Sequence, residues 1–315
     1  MTRRALLGFD LGGTNLRAAI ALDDGIPLVE AVEPTRRDSA TGMLDQMAAM
    51  AASLAASASE PTRGKVAIVA CGVGLAAAVA PGSGRLRSIH NLPGLAGINL
   101  GQELALRLGI PVSVENDANL AALAEGSNGA AIGVRDYVFI AIGTGIGMGI
   151  VTDGRLRRGW RGMAGEVGFL PLGANPRTAR ARHSGAWESA AAGPAIRRRI
   201  SRAVASGTST ALGRSSTFAD ALEAAEAGDE AAAEIVDAEA GLIALGVAAV
   251  AAISDPELVI LGGGVGANPR LLEPVRRHVA KLSGPGLRIE YSQLGERAPL
   301  LGALEAARSA AASAP

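Results

Sequence analysis

A single cysteine, Cys71, stands in the chain, inside the apolar run "VAIVACGVG". One thiol cannot close an internal disulfide, so its expected role is that of a small buried hydrophobe. An excess of either charge is missing as well: 30 Lys and Arg face 30 Asp and Glu, for a formal net charge of +0. That balance carries no electrostatic footprint for nucleic acid or for an anionic membrane. Long hydrophobic runs are absent too. The uncharged run Ala240–Ile253 is too short to span a bilayer and reads as a buried helix bounded by Glu239 and Asp255. The opening "MTRRALLGFDLGG" places two arginines before apolar residues, as a signal peptide does, but Asp10 ends the run early and no small-residue cleavage site follows. A soluble, cytoplasmic protein is expected. There is no G-x-x-x-x-G-K-[S/T], which excludes a P-loop nucleotide site.

What is present is an α/β pattern written twice. The 315 residues, 49% of them hydrophobic, suffice for two domains with substantial cores. "RALLGFDLGG", "NLRAAIAL" and "PLVEAVEP" read as strands, and Met43–Ala56 as a helix. "KVAIVACGVGLAAAVAP" reads as one or two buried strands, Leu100–Leu108 as a helix, "IPVSVEN" as a strand and Asp117–Gly126 as a helix. The order then restarts with "DYVFIAIGTG" and "IGMGIVTDG". Helices follow at Ser189–Ala205, Thr217–Ala227 and Glu230–Ile253, then "ELVILGGGVG", "NPRLLEPVRRHVAKL", "LRIEYSQL" and a final helix over Leu301–Ala312. This weak internal duplication predicts two related α/β lobes with a cleft between them. The expected division is 1–123 and 124–300, with the C-terminal helix 301–315 joining the first lobe.

Four short motifs carry polar or glycine-rich chemistry. Asp10-Leu11-Gly12-Gly13-Thr14-Asn15 follows the first strand; its glycines let backbone N–H groups approach phosphate oxygens, Thr14 adds a hydroxyl, and Asp10 is suited to hold Mg²⁺ directly or through water. An ordinary Gly-Gly hairpin would use the same residues. Gly143-Thr144-Gly145 repeats this chemistry in the second half, and Gly262-Gly263-Gly264 leaves room where a flat adenine packs. The fourth motif, Glu115-Asn116-Asp117-Ala118-Asn119, delivers an amide and a carboxylate to a helix start. A helix cap needs one such residue. Four polar residues in five favour a functional role.

Together these segments resemble the ROK family of repressors and sugar kinases, within the actin-like ATPase superfamily. "DLGGTNLRAAI", "NLPG", "PVSVENDANLAALAEG", "IAIGTGIGMGIV", "GRLRRGWRGMAGEVG" and "LVILGGGV" occur in the family's order over nearly the whole chain. The resemblance implies a ribonuclease-H-like fold in each lobe, an interlobe active-site cleft, and ATP with Mg²⁺ bound beside a sugar. It implies that Asp117 is the catalytic base and that Asn91, Asn116, Glu166 and Glu188 bind sugar hydroxyls. The implied activity is phosphorylation of a hexose hydroxyl, glucose first, with N-acetylmannosamine, mannose or fructose as alternative substrates. A non-catalytic sugar-binding or regulatory protein is the alternative of a different class. A homodimer is compatible with the family. A DNA-binding repressor would need a helix-turn-helix ahead of the first glycine loop, where nine residues precede Asp10.

One segment departs from the family. Many members carry zinc on C-x-C-G-x-x-G-C-x-E, completed by the histidine of G-E-x-G-H. Here "AGEVGF" puts Phe169 at the histidine position, and "ARARHSGAWE" puts Ala179, Ala181 and Ala186 at the cysteine positions, while Gly185 and Glu188 remain. Alanine and phenylalanine offer zinc no donor atom, so no zinc is expected. His183 has no matching partner ligands. Packing of Phe169 and Trp187 is expected to replace the metal's contribution to folding.

Overall fold

The computed structural model describes residues 2–22, 25–59, 64–87 and 92–313. Residues 1–124, 156–164 and 297–315 form one compact unit, and 125–155 with 165–296 form a second.

The first unit is built on a five-stranded sheet of order β3-β2-β1-β4-β7. β1 (Arg3–Leu11), β2 (Asn15–Ala21) and β3 (Pro27–Pro34) form an antiparallel meander. Helix α1 (Ala40–Ala58) follows, started by the Ser39 side chain, which accepts from the Gly42 N–H. β4 (Val66–Leu75) lies parallel to β1, and the short β5 (Ala78–Val79) and β6 (Leu86–Arg87) form a small hairpin. α2 (Leu100–Leu108) leads to β7 (Val112–Asn116), parallel to β4, and β7 runs straight into α3 (Asp117–Asn128). β1 and β4 are buried on both faces, which accounts for their unbroken apolar runs. One face packs on Met43, Met47 and Leu54 of α1 and on Leu100 and Leu104 of α2.

The second unit repeats this order. β8 (Tyr137–Ile142), β9 (Ile146–Thr152) and β10 (Arg155–Leu156) precede a long helical stretch: α4 (Ala179–Ser184), α5 (Ala186–Ala191), α6 (Gly193–Ala205), α7 (Phe218–Glu226) and α8 (Glu230–Ser254). β11 (Leu258–Gly262), the single turn α9 (Gly263–Gly266), α10 (Pro269–Ser283) and β12 (Arg288–Tyr291) complete the sheet order β10-β9-β8-β11-β12. β11 is parallel to β8 and to β12. Two sheets of matching order, one per unit, are the structural form of the duplication read in the sequence.

Three elements differ from the sequence reading. The helix expected over Ser189–Ala205 is two helices broken at Ala192, where the Gly193-Pro194 pair starts α6. The third glycine run is a helical turn, α9, in place of an open loop. The segment Leu156–Ala164 belongs to the first unit, although the sequence places it in the second half. Within that unit Arg158 pairs with Glu115, and a side chain at Gly162 would overlap the Val79 carbonyl. α8 matches the helix expected over Glu230–Ile253, and it has the length and composition of a membrane span. It is the core helix of the second unit: Ile235, Ile243, Ala244 and Val247 are buried, and Glu239 in its middle pairs with Arg199.

The last helix, α11 (Ala298–Ser313), packs on the sheet of the first unit through Leu300, Leu304 and Ala307. The approach is close: any side chain at Gly72 of β4 would overlap the Ala303 carbonyl.

Candidate active site

In the first unit the polar motifs gather at the carboxyl ends of parallel strands. Strand register places Asp10 beside Gly74 and Leu75 beside Asn116. Asp10 and Asn116 therefore end strands two positions apart, about 10 Å at ordinary strand spacing. The carboxyl edge of such a sheet is where open α/β folds bind ligands. Asp10 lies opposite Arg17 across the hairpin, with Oδ2 3.6 Å from Nη1.

The Gly12–Asn15 turn closes on itself, Gly12 N–H donating to the Asn15 carbonyl at 3.0 Å. Thr35 clasps it from outside: its Oγ1 donates to the Gly12 carbonyl at 2.7 Å and its N–H to the Thr14 carbonyl at 2.8 Å. Thr14 and Asn15 are exposed, so the turn presents its tip to solvent. The Gly12 N–H is spent on the turn, and the amides suited to phosphate are those of Gly13 and Thr14.

At the β7–α3 junction Asn116 and Asp117 divide two roles. Asn116 caps the helix: its Oδ1 accepts from Ala118 N–H at 2.9 Å and from Asn119 N–H at 3.2 Å, and its Nδ2 points to the Ala77 carbonyl at 3.4 Å. Asp117 is not needed for that cap. Its Oδ1 accepts from Ala118 N–H at 2.8 Å, and among the described residues no cation pairs with it. Burial raises its pKa above the ordinary aspartate value, against the lowering effect of the backbone hydrogen bonds. Glu115 beneath is buried and holds the junction, accepting from Asn116 N–H and from Asn119 Nδ2 and pairing with Arg158. Asn91 falls outside the described residues.

In the second unit two glycine turns and one carboxylate come together. The turn Gly143–Gly145 follows β8, and Gly262–Gly264 follows the neighbouring β11. A Cβ on Gly143 would lie 3.6 Å from the Gly264 nitrogen, so the turns are in contact. Gly143 N–H donates to Gly145 O at 3.0 Å, and Gly193 N–H donates to Gly143 O at 2.7 Å. Thr144 and Gly264 are exposed. Gly262 serves packing, because any side chain there would overlap the Phe139 ring.

Glu188, in the first turn of α5, accepts from Ile146 N–H at 2.9 Å. A Cβ on Gly145 would stand 2.7 Å from its Oε2, so the glycine makes room for the carboxylate. Glu166 is half-buried just before the short turn Val167–Phe169, whose Gly168 lies against the Glu188 side chain. The second and third glycine turns and Glu188 thus form one cluster, and Glu166 lies a short way along the chain from it.

The "ARARHSGAWE" stretch is two short helices, α4 and α5, hinged at Gly185. Gly185 has φ of 85°, and a side chain on it would overlap the Gly168 carbonyl. Thr178 caps α4, Ala181 and Ala186 are buried, and Trp187 is fully buried with Nε1 donating to the Leu242 carbonyl at 2.9 Å. Phe169 is 48% exposed. Of the two aromatics expected to stabilise this loop, Trp187 packs into the core and Phe169 does not.

The match to a family model covers residues 6–310, and that model is the ROK family. The chain belongs to the ROK family. Over 96% of its length it is 32% identical to a glucokinase from Thermotoga maritima, spanning 97% of that protein. It is 33% identical to an N-acetylmannosamine kinase from Citrobacter koseri, over 87% of this chain and 88% of that one. Among solved structures, a ROK glucokinase from Streptomyces griseus, in complex with glucose and AMPPNP, superposes with a TM-score of 0.78 at 31% identity, covering 97% of this chain and 99% of the other. The fold is the actin-like ATPase fold of the ROK kinases, and the activity class is that of a sugar kinase.

For this ROK chain the metals divide by donor chemistry. Mg²⁺ takes hard oxygen donors and keeps several waters, so one or two carboxylates suffice; Asp10, a carboxylate at a strand end beside an open glycine turn, fits it. Phe169, Ala179, Ala181 and Ala186, the positions that the resemblance gives to zinc ligands, offer no donor atom. Among the described residues no group of three or more His, Cys, Asp or Glu is placed to hold an ion. Sequence reasoning passed over Thr35 and Arg158. Their partners are far along the chain, and a lone Thr or Arg between strands gives no local signal.

Proposed function

We propose that this chain is an ATP-dependent, Mg²⁺-requiring hexose kinase that phosphorylates the 6-hydroxyl of glucose. The observation that carries the reading is Asp117, a carboxylate at the carboxyl edge of the first sheet with no paired cation among the described residues and with a pKa raised by burial. A base works best when its pKa approaches the working pH, and the missing cation leaves the carboxylate basic.

In the reaction the sugar O6–H gives its proton to Asp117. O6 forms a bond to the γ-phosphorus as the bond from that phosphorus to the β,γ-bridging oxygen breaks, and ADP leaves with the electron pair. Glu188 and Glu166 accept hydrogen bonds from sugar hydroxyls, and Asn116, its carbonyl committed to α3, offers Nδ2 as a donor. The amides of Gly13, Thr14, Thr144 and Gly145 cradle phosphate oxygens, and Gly264 leaves a bare face for the adenine. Asp10 would hold Mg²⁺, which would supply positive charge against the phosphates. Full-length similarity to glucokinases supports glucose as the acceptor.

The test is ADP release with ATP and a panel of glucose, N-acetylmannosamine, mannose and fructose. Glucose is expected to give the highest kcat/KM. A higher value for another sugar reassigns the substrate. Sugar binding without turnover on any of them supports the non-catalytic reading instead.

A further inference from the structure

The second unit holds a cavity of about 360 Å³ walled by α4, α5, α6, α8 and the strap before α4. None of its lining residues is among those assigned above to sugar or nucleotide. Four arginines line it: Arg180, Arg198, Arg199 and Arg202. Arg199 is paired with Glu239, with Nη1 2.6 Å from Oε2. Among the described residues no carboxylate pairs with the other three. Arg198 Nη2 donates to the Ser189 carbonyl at 3.2 Å and Arg199 Nη2 to the Ala190 carbonyl at 3.0 Å, so two guanidinium groups are fixed in place by the backbone of α5. Ser189 also lines the cavity, and its hydroxyl oxygen is buried with no protein partner.

An arginine-rich helix face that is simply solvated spreads its charges into water. Here they converge on a concave space. Burial, and then the positive charges of Arg180, Arg202 and Arg199, push the Arg198 guanidinium below its ordinary pKa, so the cluster is electrostatically uncomfortable without a counter-charge. Guanidinium forks match phosphate oxygens in bidentate geometry. The volume lies within the range of small-molecule sites, and a single concavity on a chain of formal net charge +0 does not offer the basic stripe that tracks a nucleic acid.

We propose that this cavity binds a small phosphorylated anion carrying at least two negative charges. Arg180, Arg198 and Arg202 hold its phosphate oxygens, and the Ser189 hydroxyl supplies a further hydrogen bond. The class includes phosphate esters and condensed phosphates, which share this chemistry.

Isothermal titration of the full chain separates the sources. The probes are inorganic phosphate, glucose 6-phosphate and tripolyphosphate, each titrated with glucose and a non-hydrolysable ATP analogue already present in saturating amounts. At least one probe is expected to bind with one-to-one stoichiometry. The exposed pair Arg180→Gln/Arg202→Gln should weaken that binding by at least about tenfold, since each removes a charge-assisted hydrogen bond, while Arg180→Lys/Arg202→Lys retains part of it. Ser189→Ala should weaken it less. The glutamine pair should keep the wild-type circular dichroism and basal kinase activity. Absence of binding by all three probes at millimolar concentration, or equal affinity in wild type and the glutamine pair, overturns the proposal. Because the readout is binding with the sugar and nucleotide present, failure of the glucose assignment would leave its outcome legible.

Discussion

The close contact between Gly145 and Glu188 gives a substitution whose effect can be worked out in advance. Gly145→Ala adds one carbon at 2.7 Å from Glu188 Oε2 and 3.3 Å from its Cδ. Gly145 is outside the left-handed region, so alanine brings no backbone strain. The obstructing atoms are the end of a side chain, and the carboxylate swings aside without disturbing the sheet. The cost is the hydrogen bond from Ile146 N–H, 2.9 Å in wild type, and the aim of the carboxylate. A hydrogen bond to a charged group contributes about 1.5–3 kcal/mol, which sets the upper limit of the stability loss. If Glu188 holds a sugar hydroxyl, displacing it should raise the sugar KM by about 10–100-fold, or ~1.4–2.8 kcal/mol. Steady-state kinetics with each substrate varied separately distinguishes this from a nucleotide effect, since Gly145 also sits in a turn assigned to phosphate. A double-mutant cycle with Glu188→Gln completes the assay. Both substitutions act on one carboxylate, so their effects should fall well short of adding. A raised KM for ATP with an unchanged sugar KM, or strict additivity in the cycle, would refute the reasoning.

Asp117→Asn should lower kcat by about 10²–10⁴-fold, the range of general-base catalysis, with sugar binding by titration nearly unchanged; retention of a tenth of wild-type kcat excludes Asp117 as the base. Because burial raises the Asp117 pKa and the base must be ionised, the acid limb of kcat/KM should lie above the range of an ordinary aspartate, and a limb at the ordinary value counts against the assignment. Glu239 has its pKa pushed up to about 7 from 4.5 by burial, which outweighs the Arg199 pair. The folded state therefore binds the proton more tightly, and this group's stabilisation is full below pH 4.5 and is lost as pH rises towards 7. The stability difference between wild type and Glu239→Gln, followed by the fluorescence of buried Trp187, should shift against wild type by about 3 kcal/mol over that interval, at 1.36 kcal/mol per unit; a flat difference refutes it. Chelation should stop activity reversibly through Mg²⁺ without unfolding, and elemental analysis should find no stoichiometric zinc; one tightly held zinc per chain would refute the reading of the alanine positions. With Phe169 at the position that the resemblance gives to a histidine, glucose, mannose and 2-deoxyglucose should differ in kcat/KM by no more than about 100-fold, or ~2.7 kcal/mol, and Phe169→His should widen the gap; strict selection by wild type means that another residue reads the 2-position.

Much of the fold was legible because both sheets are made of local signals. Buried parallel strands read as apolar runs, and each ends in a glycine turn or a polar helix start that the sequence displays openly. Asn116 and Asp117 were visible for the same reason, as a strand handing over to a helix. Their division of labour was not, since either side chain can cap α3 and only the geometry shows that Asn116 does. Arg158 reaches Glu115 from a segment beyond the first half of the chain, and no periodicity predicts such a contact. The α4–α5 pair was hidden because its segment was read by likeness to a metal loop, whereas the burial of Ala181, Ala186 and Trp187 and local helix formation decide the conformation.

The docking of α11 on β4 has a consequence for the order in which the protein is made. Translation delivers β1, β4 and β7 first, then every strand and helix of the second unit, and only then the helix whose Leu300, Leu304 and Ala307 cover Leu6 and Ala70. While the ribosome works through the second unit, the first sheet has its α1 and α2 side packed, and on the opposite side only α3 is in place, its Leu120 against Gly74, with the ground beneath α11 uncovered. The second unit contains all the elements of its own sheet and can complete itself earlier, reversing the usual sequence in which the amino-terminal part of a chain settles first. During that interval the uncovered strands are a surface for chaperones or for aggregation, and a nascent chain stalled before Ala298 would carry a finished second unit tethered to an unfinished first one.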